Sequence, residues 1–240
     1  MTDSPVPSAA ANAALPPLRI HDSVGVCGVR NDTRLLAEIA AGDGAPGRAL
    51  DLGAGTGYVG LYLAQRGWQV DAVDISPRAV ELAQANAERN GLAARSGPGG
   101  VRVYRSNLFD QVDGPFDVIA FNPPMRPDET ELSRIVTSLL RRSPRVSAAL
   151  MRLAGARLEG SRSPFLAAAV ARARGHLRLG GRLVLAISDN EASELARLPG
   201  AQRGRSWPIP DMPRHEIVEF SFSAGSDAAA PFPLTASADR

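Results

Sequence analysis

Short apolar runs alternate with stretches of helical periodicity along this chain. Residues 49–52, 70–73, 101–104, 118–121 and 183–187 are brief runs of aliphatic and β-branched character, and each predicts a strand. Strands separated by helical stretches read as βαβ units and a parallel sheet. The helix between the second and third runs has its ends written out: Ser76 as cap, Pro77 at the first position and Gly91 past the end. The helix before the fifth run reads the same way, with Ser163 as cap, Pro164 next, and Leu166, Val170, Ala173 and Leu177 along one face; Gly180-Gly181 then turns the chain into the strand. Residues 191–198 look helical, and 202–207 and 216–222 look like two strands joined by a Pro-rich loop. About forty residues separate the fourth run from Ser163. Leu132, Ile135, Val136, Leu139 and Leu140 form one amphipathic stripe there, and Val146, Ala149, Leu150 and Leu153 form a second beyond Pro144. Both predict helices that pack on the core; their place after a candidate loop also fits a substrate-facing cap over 126–162. The expected fold is α/β, a doubly wound sheet of about seven strands with the last antiparallel and a helical insert after strand four.

Composition narrows this little. The 240 residues are 44% hydrophobic and 22% charged, which suits one soluble domain, expected over 18–223 with disordered tails at 1–17 and 224–240. No run approaches the ~18 apolar residues of a membrane span, and the first residues lack the basic start and apolar stretch of a secretory signal. Cys27 is the sole cysteine, so neither an intrachain disulfide nor a cysteine zinc cluster can form, and a cytoplasmic location is expected. His21, His176 and His215 show no metal-ligand spacing, and no metal is expected. All 27 basic residues are arginine, and residues 134–182 hold eleven of them against one acid, Glu159. That stretch is either a solvated basic face or a surface for an anionic partner such as nucleic acid.

Three motifs carry chemistry. The first is Ala49-Leu50-Asp51-Leu52-Gly53-Ala54-Gly55-Thr56-Gly57, a buried strand ending in an acid and running through a Gly-rich turn into a helix. Its glycines allow a sharp turn and close approach of a ligand to the main chain, the helix start adds unpaired N–H groups, and Asp51 can meet a ligand cation. Gly55, Gly57 and Gly60 also spell the dinucleotide pattern G-x-G-x-x-G, so this motif alone leaves the cofactor open. The second is Asp74, 23 residues after Asp51 at the end of the second strand, where an acid can accept both hydroxyls of an adenosine ribose. The third separates the cofactors. Asn122-Pro123-Pro124-Met125 follows the fourth strand. Two prolines stiffen the loop and remove two donors, leaving carbonyls and the Asn122 side chain as acceptors at the carboxyl edge of the sheet. An amide or exocyclic amine could donate to the Asn122 oxygen and the Pro123 carbonyl, aiming its nitrogen lone pair at a methyl donor. A nicotinamide enzyme has no use for such an acceptor pair.

The order of these motifs resembles the class I S-adenosylmethionine-dependent methyltransferases. Within them it looks like the Asn-Pro-Pro-Tyr amino-methyltransferases, and most like the HemK-type protein-glutamine group. Gly28-Val29-Arg30-Asn31-Asp32-Thr33 resembles that group's Arg-Pro-Asp-Thr-Glu stretch, and Arg105-Ser106-Asn107-Leu108-Phe109 resembles its third motif. The resemblance implies S-adenosylmethionine as cofactor, S-adenosylhomocysteine as product and a Rossmann-like sheet. It implies that Arg30, Asp32 and Thr33 lie near the methionine end. Asp51, Gly53, Ala54, Gly55, Thr56, Gly57, Tyr58, Asp74, Ile75, Asn107, Leu108 and Asn122 would hold the cofactor, and Asn122, Pro123, Pro124 and Met125 would form the catalytic loop. Met125 stands where the family has an aromatic, Asn107 where it has an acid, and Asn31 where it has a proline. The expected acceptor is an amide or amine nitrogen on a protein side chain or small molecule. The alternatives are a nucleic-acid base amine, a nicotinamide-dependent oxidoreductase and a non-catalytic binding module. Monomer and homodimer both remain open.

Overall fold

The structure, a computed structural model, describes residues 15–93, 99–124 and 162–223, the last stretch in its side chains from residue 165 onward. Seven strands run β1 (Arg48–Leu52), β2 (Gln69–Asp74), β3 (Val101–Arg105), β4 (Phe116–Phe121), β5 (Leu177–Ser188), β6 (Ala201–Pro208) and β7 (His215–Phe222). They form one sheet in the order β3-β2-β1-β4-β5-β7-β6. β1 to β5 are parallel, and β7 runs antiparallel between β5 and β6. The helices are α1 (Asn31–Ala41), α2 (Tyr58–Gln65), α3 (Pro77–Arg89), α4 (Arg162–His176) and α5 (Asp189–Leu195). The expected doubly wound sheet is therefore present.

Helices cover both faces, which is why β1, β2 and β4 read as continuous apolar runs instead of alternating ones. Alternation still decides which side chain goes where. Ala49, Val118, Ala120 and Val184 face α1 and α2 with Leu36, Ile39, Leu61 and Leu63. Leu50, Leu52, Ile119, Phe121 and Leu185 face α4 and α5 with Leu166, Val170, Ala173 and Leu195.

The ends of α3 are as the sequence states: Ser76 Oγ accepts from Ala79 N–H and Pro77 opens the helix. Two expectations need correction. α4 begins at Arg162, so Ser163 and Pro164 lie inside its first turn. β5 begins at Leu177, so Leu177 belongs to the strand, and Gly180-Gly181 form an irregularity within it. The register against β4 jumps there, from Phe116↔Leu177 to Val118↔Arg182, because Gly180 takes φ +78° and kinks the chain. The two amphipathic stripes at 132–140 and 146–153, the cap, Met125 and nearly all of both tails lie outside the described residues.

α1 carries no basic residue in its last turn. Arg182 of β5 supplies one from the sheet: Nη1 donates to Ile39 C=O (2.8 Å), Nη2 to Ala40 C=O (2.6 Å), and Nη1 also pairs with Glu219 (2.7 Å). Removing it strands two helix-end carbonyls. Arg182→Leu is expected to cost about 2 kcal/mol in urea denaturation with an unchanged m-value.

Candidate functional site

Strand order reverses between β1 and β4, and ligands of open α/β sheets bind in the crevice outside such a switch point. Leu52 pairs with Phe121 across that boundary, so the Gly-rich turn and the Asn-Pro-Pro loop leave the sheet side by side. Alternation along β4 then points Phe121 toward α4 and Asn122 toward α1.

At the start of α1, Asp32 is only 2% exposed. Its Oδ1 accepts from Thr33 N–H (2.8 Å) and the Thr33 hydroxyl (3.3 Å), and its Oδ2 pairs with Arg30 Nη2 (2.8 Å). Asn122 Nδ2 donates to the same Oδ2 at 3.3 Å. Burial alone would raise the Asp32 carboxyl, but the Arg30 hydrogen bond and charge, with Asn122 and Thr33 N–H, hold it below its ordinary range. An ionised carboxylate only accepts, so the Asn122 amide must turn its NH2 inward. Its oxygen is thereby presented as an acceptor. Pro123 is buried and Pro124 exposed.

Across the crevice, Asp51 is 4% exposed, and its Oδ2 accepts from Gly60 N–H (2.8 Å) at the start of α2. That approach needs a residue without a side chain, since a Cβ on Gly60 would stand 3.2 Å from the carboxylate and 3.3 Å from Val70. Gly57, at φ +80°, would bring a Cβ to 3.0 Å of Ala83 Cβ on α3. Gly53 and Ala54 N–H both bond Val73 C=O (2.8 and 2.9 Å), and Thr56 is buried in the turn. Asp74 Oδ2 accepts from Gly55 N–H (3.0 Å) and Oδ1 from Ser76 N–H (2.9 Å), so Asp74 shapes the turn it stands beside. Ile75 is 58% exposed although apolar, and Asn107 is exposed after β3. Leu108 follows it at φ +50°, its carbonyl held by Ser106 Oγ (2.8 Å). The Tyr58 ring lies against Arg34 and Tyr62.

Burial pushes the Asp51 carboxyl up to about 7, and the charge of Asp74 adds to this, while Gly60 N–H opposes it. Among the described residues no cation is paired with Asp51. Two acids flanking a glycine turn, with a bare Ile75 beside them, fit a ligand that joins positive charge to a flat apolar ring. Among the described residues no three His, Cys, Asp or Glu converge as a metal site.

The family model of the methyltransferase small domain matches residues 23–149, more than half of the chain. The chain belongs to the methyltransferase small domain family. It is 33% identical over 101 residues to a ribosomal RNA small subunit methyltransferase C of Alcanivorax borkumensis, a match covering 42% of this chain and 29% of that protein. It is 44% identical over 79 residues to a release factor glutamine methyltransferase of Agrobacterium fabrum, covering 32% and 26%. The matched segment thus spans less than a third of either relative. Among solved structures, a methyltransferase from Pyrococcus furiosus aligns with TM-score 0.52 at 20% identity over 88% of this chain and 93% of that one. Ribosomal protein L11 methylase of Lactobacillus delbrueckii subsp. bulgaricus aligns at 0.54 and 18% over 79% and 78%. These two show a shared fold.

Family membership makes the motifs legible, but three residues at the site escape motif reasoning. Phe165, 40% exposed on α4, meets the Phe121 ring edge-on at 6.3 Å, and Phe121 lies where a Cβ on Gly53 would be 3.4 Å away. Its only sequence signal is an aromatic beside a proline at a helix start. Asn86 on α3 and Asn90 at its C-cap bond the chain ahead of α1; the sequence signal is an asparagine in a helix stripe otherwise made of Ala79, Val80, Ala83 and Ala87.

The raised Asp51 value has a consequence for stability. Between about pH 4 and about 7 the folded chain keeps a proton that the unfolded chain, near 3.8, has released, so stability falls as pH rises through that window. Asp51→Asn removes this slope. Its Tm is expected to fall less than wild type between pH 4 and pH 8 in scanning calorimetry.

Proposed function

We propose that this chain is an S-adenosylmethionine-dependent methyltransferase acting on an amide or amine nitrogen of a protein side chain or small molecule. The observation that carries the reading is the Asp32–Asn122 contact, which turns an amide oxygen outward as a fixed acceptor at the switch point. S-adenosylmethionine, when bound, supplies an electrophilic methyl on a sulfonium sulfur. Asp74, Ile75, Asn107 and the turn from Gly53 to Gly57 would hold its nucleoside end, and the carboxylate of Asp51 offers charge complementary to its cationic end. Asn122 Oδ1 accepts one N–H of the acceptor group and the Pro123 carbonyl a second, which raises the electron density on nitrogen and fixes its lone pair. Holding both partners in line is the main contribution, because charge is dispersed as the methyl moves. The spent N–H proton leaves to water, so no strong base is required.

The curated relatives are named for ribosomal RNA and for release factor glutamine. Of the basic stretch, four arginines have described side chains: Arg172 pairs with Asp110, Arg178 with Asp117 and Arg182 with Glu219, and Arg174 donates to the Ser223 carbonyl. That supports a protein or small-molecule acceptor over a phosphate backbone. Acceptors are screened by S-adenosylhomocysteine release at two salt concentrations; a rate that falls steeply with salt would point to nucleic acid instead.

Asn122→Ala is expected to lower kcat by about 100-fold or more while the cofactor Kd stays within about threefold. Asp32→Ala frees the Asn122 amide to rotate and is expected to lower kcat about tenfold. Asp74→Ala is expected to lose most cofactor affinity in calorimetric titration. Wild-type protein that gives no heat with S-adenosylmethionine would overturn the reading.

A further inference from the structure

Residues 18–30 precede α1 and pair with no strand among the described residues. Leu18 and Ile20 rest on the core, and the backbone between and beyond them is gripped by Asn86 of α3 and Asn90 at its C-cap. Asn90 Oδ1 accepts from Arg19 N–H (2.9 Å), and its Nδ2 donates to Arg19 C=O (3.0 Å). Asn86 repeats this at His21, with Oδ1 accepting from N–H (2.9 Å) and Nδ2 donating to C=O (3.1 Å). The spacing is matched: four residues of helix rise about 6 Å and two of extended chain about 6.6 Å. Each amide gives the strap the pair of bonds that a neighbouring strand would give.

Asn86 does one thing more. Its Nδ2 also donates to Thr56 C=O at 3.0 Å, inside the Gly-rich turn, and the residue is fully buried. One amide therefore ties the strap to the turn. Beyond His21, Arg78 Nε of α3 donates to Ser23 Oγ (3.2 Å). The strap then crosses the turn: a Cβ on Gly55 would stand 3.8 Å from Val26 Cγ1 and 3.9 Å from the Cys27 carbonyl. It ends at Arg30, which is paired with Asp32. The strap thus runs from α3, over the cofactor turn, to the group that orients Asn122.

We propose that Asn86 is a positioning residue for cofactor retention, latching residues 18–30 across the Gly-rich turn so that breaking the latch speeds release of S-adenosylmethionine. The inference rests on the cofactor reading given above. A segment held by a few side-chain bonds opens locally at small cost, without global unfolding.

The test measures the S-adenosylmethionine dissociation rate, by chase with S-adenosylhomocysteine, and amide hydrogen exchange of residues 18–27 in the full chain. Asn86→Ala is made with Asn90→Ala and His21→Pro, which each delete strap bonds at positions outside the core. Dissociation is expected to quicken roughly fivefold or more in each variant, with faster strap exchange and an unchanged Tm in the latter two. In wild type, bound cofactor should slow strap exchange. General destabilisation would shrink the binding-competent fraction without altering the off-rate of what is bound. Faster strap exchange with an unchanged off-rate overturns the latch and leaves the cofactor reading standing. Wild-type protein that binds no S-adenosylmethionine removes both.

Discussion

The rest of the site depends on how Asp32 is accommodated. A carboxylate with 2% exposure is tolerated only where donors surround it. Arg30 and Thr33 stand beside it in sequence, but Asn122 comes from 90 residues away. Satisfying the acid therefore docks the start of α1 against the carboxyl end of β4. It also fixes which end of the Asn122 amide faces outward, and so turns a flexible amide into an oriented acceptor.

On the other side of the crevice the electrostatics run the opposite way. Asp51 and Asp74 approach each other without a compensating cation among the described residues, and burial raises Asp51. One half of the site is an acid paired with a guanidinium; the other holds two acids that accept backbone N–H groups. That asymmetry suits the proposed cationic cofactor on the β1–β2 side and the proposed nitrogen acceptor at Asn122. The two halves share the strap before α1, which touches the Gly-rich turn through Val26 and Cys27 and reaches Asp32 through Arg30.

Much of this was readable in the chain. The strands β1 to β4 announce themselves as short apolar runs because both faces of the sheet are covered. Ser76 and Pro77 mark α3 because a cap and a first-turn proline satisfy local geometry alone. The start of α4 and the kink at Gly180-Gly181 were misplaced for the complementary reason. Pro164 is tolerated throughout a helix's first turn, so it does not say which residue opens it, and the Gly180 kink is an accommodation of β5 to its neighbour β4.

By itself the sequence determined the local chemistry: an acid before a glycine turn, a second acid at the end of the next strand, and a stiff Asn-Pro-Pro loop. These are properties of neighbouring residues, and steric and hydrogen-bonding rules act on them directly. Only the tertiary structure decided that Asn122 answers to Asp32, that Asn86 binds His21 and Thr56 at once, and that Arg182 finishes α1. Each of those joins positions 30 to 143 residues apart. No spacing rule connects such positions, because the strand order that brings them together is set by burying the whole sheet.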